Sequence, residues 1–435
     1  MHAIVLPCDV DVTWITKDVT KVHFVEAPAF FSRYPSHKAK LALMRTAMKA
    51  AAASVHGPIE YVDHAGYAAF LARNKGTKFV CKAPCDVPLE KSLAKALPGL
   101  TFVPGGRFLL DAEFLGAFHA EHGGKRRILF STFFKAAKDQ LRVLQGVAST
   151  DAENRRGPDR TAVEPAIPEH RDAAEHRAEA IAYVDREFGG NPGRTAAAAL
   201  YPATPAAAKT HMRRFVTERL PGFGRFQDAI VKDWTVGHHA NVSAALNMGL
   251  LSPKYLIHTV VTSKRASHND VEAFVRQVLG WREYMRYIYV YHFREVTTAN
   301  LFGATRTLPP HTAKSVWYGH GTDLLAIEAR KALDTGYAHH IVRLMVFLNK
   351  MVLDGITLKS AVRWFSTVVA IDAYDWVMYS NVAAMGHFTP KFMRKPYVSK
   401  TAYLQRMSDY KRAEMPSDWN DAYDAWVEKT GFKQF

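Results

Sequence analysis

The chain has 435 residues, 48% hydrophobic and 23% charged, which excludes a disordered chain and leaves room for two domains or three. Lys and Arg number 57 against 41 Asp and Glu, a formal charge of +16 that favours a polyanionic partner such as nucleic acid without requiring one. The three cysteines, Cys8, Cys81 and Cys85, exclude a disulfide scaffold. They also leave too few ligands for structural zinc or a four-cysteine iron–sulfur cluster, so no metal is expected. Residues 1–7 lack the basic start and the length of a signal peptide, and no apolar run approaches about 18 residues. The reading is a soluble, cytoplasmic chain with no membrane partner.

Short apolar runs at 3–6, 22–25, 59–62, 79–81 and 101–103 predict strands, with helices over 37–53 and 89–96 between them. Strands alternating with helices predict an α/β domain with a Rossmann-like parallel sheet. Gly105-Gly106 lies in a loop, but no GxGxxG phosphate fingerprint accompanies it. Residues 147–178 turn polar and proline-bearing, with Asp151, Arg155, Arg156, Asp159, Arg160, Pro165 and Pro168. They read as an extended connector across the surface. The Ala-rich stretch 196–208 is helix or loop. From 209 onward, three- and four-residue apolar spacing predicts helices over 209–218, 240–246, 253–262, 271–293, 324–353, 358–376 and 403–411. The expected organisation is an α/β domain over 1–146, a connector over 147–208 and an all-α domain over 209–435.

Several segments are more specific than composition. They are "DAENR" at 151–155, "FVRQVLGWREYMRYIY" at 274–289, "LFGATRTLP" at 301–309, "YAHHIVRLMV" at 337–346, "DAYDWV" at 372–377 and "KPYVSKTAYLQRMSDY" at 395–410. In order and spacing these resemble the prokaryotic (6-4) photolyases, the iron–sulfur branch of the photolyase/cryptochrome family. The resemblance is dense over about 210–410 and weak before 100. It implies a bilobal fold whose helical domain buries FAD, and light-driven electron transfer from reduced FAD to a UV lesion flipped out of DNA. The +16 charge would then serve phosphate contacts. A monomer is expected.

The resemblance also implies site residues. His339, His340, Glu283 and Tyr397 fall at lesion-contacting positions, with a histidine as proton donor. Ser243, Asn247, Gln277, Trp281, Arg282, Arg343, Asp372 and Asn381 fall at flavin positions, and Arg282 is expected to face Asp372. Trp364 and Trp317 match electron-relay positions; the i, i+4, i+8 spacing of Trp364, Val368 and Asp372 places them on one helical face. Phe365 stands where relatives often have Tyr. Lys391, Arg394, Lys395, Lys400 and Arg406 are the expected DNA contacts.

The chain departs from these relatives in four places. The cluster cysteines are replaced by 325–327 and 411–416, and the aromatics Trp419, Tyr423, Trp426 and Phe432 are expected to pack in the cluster's stead. The flavin-phosphate segment, usually Ser-Arg-Leu-Ser-Pro, reads Ala240-Asn241-Val242-Ser243-Ala244. It lacks the Arg, a loss that His238, His239 or Asn241 could offset. Met378 stands where a carboxylate is usual. The turn that would hold a ribityl-lumazine antenna reads Pro7-Cys8-Asp9-Val10. Glu26, His37, Lys38 and Lys40 echo the family's later antenna pattern, and the balance weighs against a bound lumazine. Three readings follow: a photolyase, a cryptochrome-like blue-light receptor, or a flavin-free DNA-binding scaffold.

Overall fold

The computed structural model describes residues 1–146, 148–159 and 161–432, so Arg160 of the expected connector lies outside the described residues. The strands are β1 (His2–Val5), β2 (Lys21–Val25), β3 (Ile59–Val62), β4 (Phe79–Lys82) and β5 (Leu100–Val103). All pair in parallel, in the order β3-β2-β1-β4-β5, with His2 opposite Lys21 and Phe79 opposite Leu100. Helices cover the sheet, so its central strands are apolar on both faces; Ile4, Phe24 and Cys81 are all buried. The chain crosses from β3 to β4 on the other side of β1. The C-terminal ends of β1 and β4 therefore flank the topological switch point.

The helices used below are α1 (Lys38–Ala53), α2 (Val87–Ala96), α3 (Phe130–Leu141), α4 (Ala174–Glu187), α5 (Pro205–Glu218), α6 (Ser243–Asn247), α7 (His268–Val275), α8 (Arg282–Tyr291), α9 (Leu324–Thr335), α10 (Leu358–Thr367), α11 (Asp375–Met385), α12 (Thr401–Met407) and α13 (Trp419–Thr430). Local chemistry starts several of them. Asp86 caps α2 by accepting from Leu89 N, Asp323 caps α9, and Ser267 with Asp270 forms a capping box on α7.

The sheet strands lie where alternation and apolar runs place them, to within a residue. The second half of the expected connector differs. Residues 174–187 form α4, which packs on α1 through Ala180, Tyr183 and Val184, and Glu179 binds Arg45. Three apolar residues at i, i+3, i+4 among charges made this helix hard to see. The Ala-rich stretch is a 3₁₀ turn (Thr195–Leu200) followed by α5, which starts at Pro205.

Two long helices are also broken. The 324–353 stretch stops at α9, where Gly336 takes a φ of +75°, and resumes as a π-helical turn over Val342–Leu348. The 358–376 stretch stops at α10, so Asp372 is not on the helix that carries Trp364. The two halves meet closely at Gly249. There Val10 N donates to Met248 O (2.7 Å), and a Cβ on Gly249 would stand 2.4 Å from Asp9 Oδ1. No helix among the described residues is long and apolar enough to cross a membrane.

Candidate functional site

Two π-helical turns, Arg276–Trp281 and Val342–Leu348, carry several of the expected residues. The i→i+5 turn inserts a residue and re-aims side chains, which is why π turns gather at functional sites. Arg343, in the second, grips Asp372 with both terminal nitrogens (2.9 and 3.2 Å), while its Nε donates to Ala338 O (2.5 Å). Ser243 Oγ donates to Asp372 Oδ2 (2.5 Å), and Asn247 Nδ2 donates to Asp372 O (2.9 Å). Burial works against the Arg343 charge, but the Asp372 carboxylate outweighs it and holds the guanidinium above its usual range.

The expected pairing of Arg282 with Asp372 is corrected. Because α10 ends at Thr367 and Ile371 N bonds to Gly336 O, the chain turns and delivers Asp372 to Arg343. Arg282 instead donates to Asn247 Oδ1 (3.2 Å) and Arg107 O (2.5 Å), and burial pushes it down to about 10.

Ala338, gripped by Arg343, precedes the histidine pair. His339 is buried and lies flat on His239, with ring centroids 4.6 Å apart and planes at 14°. His340 meets the edge of His239 at 4.9 Å, and its Nε2 donates to Asp228 Oδ1 (3.0 Å). Burial pushes both His239 and His339 well below the usual imidazole range, so both are neutral at pH 7. His239 Nε2 and His339 Nδ1 are buried without a hydrogen-bond partner among the described residues. Gln277 Nε2 donates to Gln227 Oε1 (3.0 Å), the residue before Asp228. His239 was expected only as an offset for the missing flavin-phosphate arginine, and its stacking on His339 was not foreseen. The carboxylate of Asp228 was missed from sequence, and nothing marked it.

Tyr397 is half-buried among Arg155, Asp228, Arg276 and Asp151, and burial raises its phenol. Asp151 also binds Arg155 (3.1 Å) and Arg276 (3.6 Å), so the 151–155 motif reaches this region. Glu283 does not. It is fully buried, accepts from Leu109 N (2.8 Å) and lies between Arg282 and Arg286, which commits it to the 107–110 loop and removes it from lesion contact. Trp281 stacks on Phe130 of α3 at 3.8 Å, and Asn381 Nδ2 bonds to Val377 O of its own helix (2.8 Å). Trp364 Nε1 donates to Trp317 O (3.0 Å), with the two rings edge-on at 5.8 Å.

Of the expected DNA contacts, Arg394, Lys395, Lys400 and Arg406 are exposed and Lys391 is half-buried. Lys400 is bound to Asp424 (2.7 Å), and Lys391 is 3.7 Å from Glu295. The aromatics of α13 pack as expected of apolar residues but not between the two cysteine-replacing segments. Trp419 donates to Ser399 O, and Trp426 meets Phe302. The junction of α9 with the chain after α12 is polar: Tyr410 Oη donates to the buried Glu328 (2.7 Å), which Lys331 also binds (2.7 Å). The antenna echo is engaged within the protein. Glu26 binds Arg45 and Tyr61, Lys40 Nζ donates to Ala373 O, and His37 Nδ1 caps α1 while its Nε2 donates to Leu333 O.

Residues 10–200 match the family of deoxyribodipyrimidine photo-lyase-related proteins. A (6-4) photolyase of Agrobacterium fabrum is 35% identical over 243 residues, 53% of this chain; the chain spans about half of that relative, 46% of its length. Across the whole chain, the fold matches a Synechocystis cryptochrome (TM-score 0.62, 13% identity, 94% of that chain). It also matches an archaeal photolyase from Sulfolobus tokodaii solved with two FAD molecules (TM-score 0.59, 11% identity, 99% of this chain and 100% of that one). Residues 10–200 thus carry the photolyase-related match, and the fold throughout the chain is the one seen in photolyases and cryptochromes.

Proposed function

We propose that the protein is a flavin-dependent DNA photolyase acting on UV lesions, (6-4) photoproducts first among them. The observation that carries this reading is the direct link between the two clusters. The Arg343–Asp372 pair binds the carbonyl of Ala338, one residue before the His339–His340 pair. A group seated against the first cluster would therefore lie beside the second.

The residues present fit FAD. Asn247 and Asp372 are buried and Ser243 and Arg343 half-buried in one bonded polar set, and His239 and His339 each offer a ring nitrogen with no partner among the described residues, a need that a ligand atom would meet. When bound, reduced FAD would supply the light-driven electron. The chain itself holds and moves the proton. His339 is neutral and stacked, so it shapes the pocket. His340 is fixed by Asp228 through Nε2, which leaves Nδ1 as the atom that can carry a proton to the lesion. Tyr397, with Arg155 and Arg276 nearby, would meet the flipped nucleotide and its phosphates. The net +16 supports duplex binding by exposed Arg394, Lys395 and Arg406. We further propose the 1–146, 147–208 and 209–435 division, with α4 as a helical part of the connector.

The test is (6-4)-containing oligonucleotide under blue light with FAD-loaded, reduced protein. Light-dependent loss of lesions is expected, and none at any protein concentration would overturn the reading. A cryptochrome-like receptor is the second reading, favoured by Met378, buried where relatives carry a carboxylate. Equal dark affinity for damaged and intact DNA would select it. A protein that stays colourless with added FAD would select the flavin-free scaffold.

A further inference from the structure

The loop 231–237 is held from two sides by opposite charges. On one side the Lys331 ammonium accepts no bond but donates to three of its carbonyls, Trp234 O (2.8 Å), Lys232 O (3.3 Å) and Val231 O (3.4 Å). On the other, three successive backbone N–H groups converge on one carboxylate of the connector, Glu164. Thr235 N reaches its two oxygens at 3.1 and 3.0 Å, Val236 N reaches Oε1 at 2.6 Å, and Gly237 N reaches Oε1 at 2.7 Å. Gly237 takes a φ of +61°, the left-handed step that lets consecutive N–H groups point into one concavity. Such a concavity is an anion nest, the backbone device that cradles phosphates elsewhere.

A second observation is independent of the loop. Arg219, at the end of α5, is 2% exposed, and its Nη2 donates to Pro165 O (2.8 Å), the residue after Glu164. Its Nε has no hydrogen-bond partner among the described residues. This buried guanidinium, near the Glu164 and Glu218 charges, keeps an Nε–H donor with no oxygen to receive it among the described residues. A phosphate, with more oxygens than a carboxylate, would supply one.

We propose that the 235–237 nest and Arg219 form a phosphate site, that Glu164 is its built-in occupant, and that a small nucleotide's phosphate enters by displacing the connector. A small ligand is favoured over a duplex because Val236, Gly237 and Arg219 are all buried under 161–168. The proposal stands on these contacts alone, without light-driven chemistry.

The full-length protein, wild type and Glu164→Ala, is titrated calorimetrically with ADP and with inorganic phosphate. The alanine variant is expected to bind ADP at least ten-fold more tightly than wild type, since no carboxylate competes. Adding Arg219→Gln to it should erase that gain. ADP should also speed tryptic cleavage of the wild-type connector after Arg171, a readout that needs no variant to fold. Equal ADP binding by wild type and Glu164→Ala, or cleavage that ADP leaves unchanged, would overturn the proposal and make Glu164 a tether. Displacement of ADP by intact duplex DNA would overturn the choice of a small ligand.

Discussion

Glu26, His37 and Lys40 in the sheet half and His239, His339 and His340 in the helical half are comparable as sequence signals: buried or half-buried polar side chains that the family resemblance tied to ligands. They end differently. Each of the first three closes its hydrogen bonds on the protein, to Arg45 and Tyr61, to Ala39 N and Leu333 O, and to Ala373 O. The histidines of the helical half leave His239 Nε2 and His339 Nδ1 open beside a fixed ion pair. A buried polar group without a partner costs about 1–3 kcal/mol, so a fold that keeps two side by side gains something else from them. Matching residue types thus marks a position, and only the state of its hydrogen bonds separates a ligand site from a cross-brace.

The sharpest way to break this contrast is His340→Ala. Loss of a positioned proton donor should lower light-dependent repair by about 10²–10⁴-fold. Dark binding of damaged DNA should remain, because the ring is half-exposed and its removal opens no core cavity. Repair at the wild-type rate would return His340 to the class of cross-braces. Asp372→Ala comes next. It leaves the half-buried, charged Arg343 without its carboxylate, which should cost about 1.5–3 kcal/mol, read as a fall in denaturant midpoint. The variant should also take up less FAD per chain. Full stability would mean that water already reaches Arg343.

His37 tests the other half. Burial pushes its ring down to about 4 against the opposing Leu333 carbonyl, and Nδ1, which accepts from Ala39 N, can do so only in the neutral ring. The unfolded chain takes up this proton near 6.5, the folded chain only near 4. The folded state is therefore not penalised above pH 6.5, and it loses stability as pH falls from 6.5 towards 4, by up to about 3 kcal/mol. His37→Gln should be less stable at pH 8 but should show a shallower decline below 6.5. Other buried histidines, His23 and His211 among them, keep part of the slope. A decline parallel to wild type would sink the assignment.

Period-2 and 3.6-residue patterning made the sheet legible, since its strands are short apolar runs bounded by polar turns. The same patterning ran through 336–338 and 368–374, where nothing local announced that Gly336 and the 368–372 turn would bring Asp372 to Arg343. The family resemblance therefore supplied both residues but the wrong partner. Asp228 was illegible for a related reason: its role depends on a contact with His340, 112 positions away, and a lone Asp after Gln227 carries no pattern. Glu283 shows the opposite failure. Its motif is conspicuous, yet its carboxylate faces the 107–110 loop because α8 packs that face inward.

The smallest effect concerns the basic surface, and it draws the same contrast among five cations. Each phosphate contact contributes about 0.9 to the slope of log affinity against log salt. Arg394 and Lys395 are exposed beyond α11, so each charge is available to a phosphate. Lys400 is bound by Asp424 at 2.7 Å, and Lys391 has Glu295 at 3.7 Å. A phosphate must compete with those carboxylates, so the counterion atmosphere gained or lost there is smaller. Arg394→Gln should therefore lower the slope by about one for damaged and intact duplex alike, and Lys400→Gln by less. If Lys400→Gln lowers it as much, Asp424 releases the lysine on binding, and Asp424→Asn should then raise affinity without changing the slope.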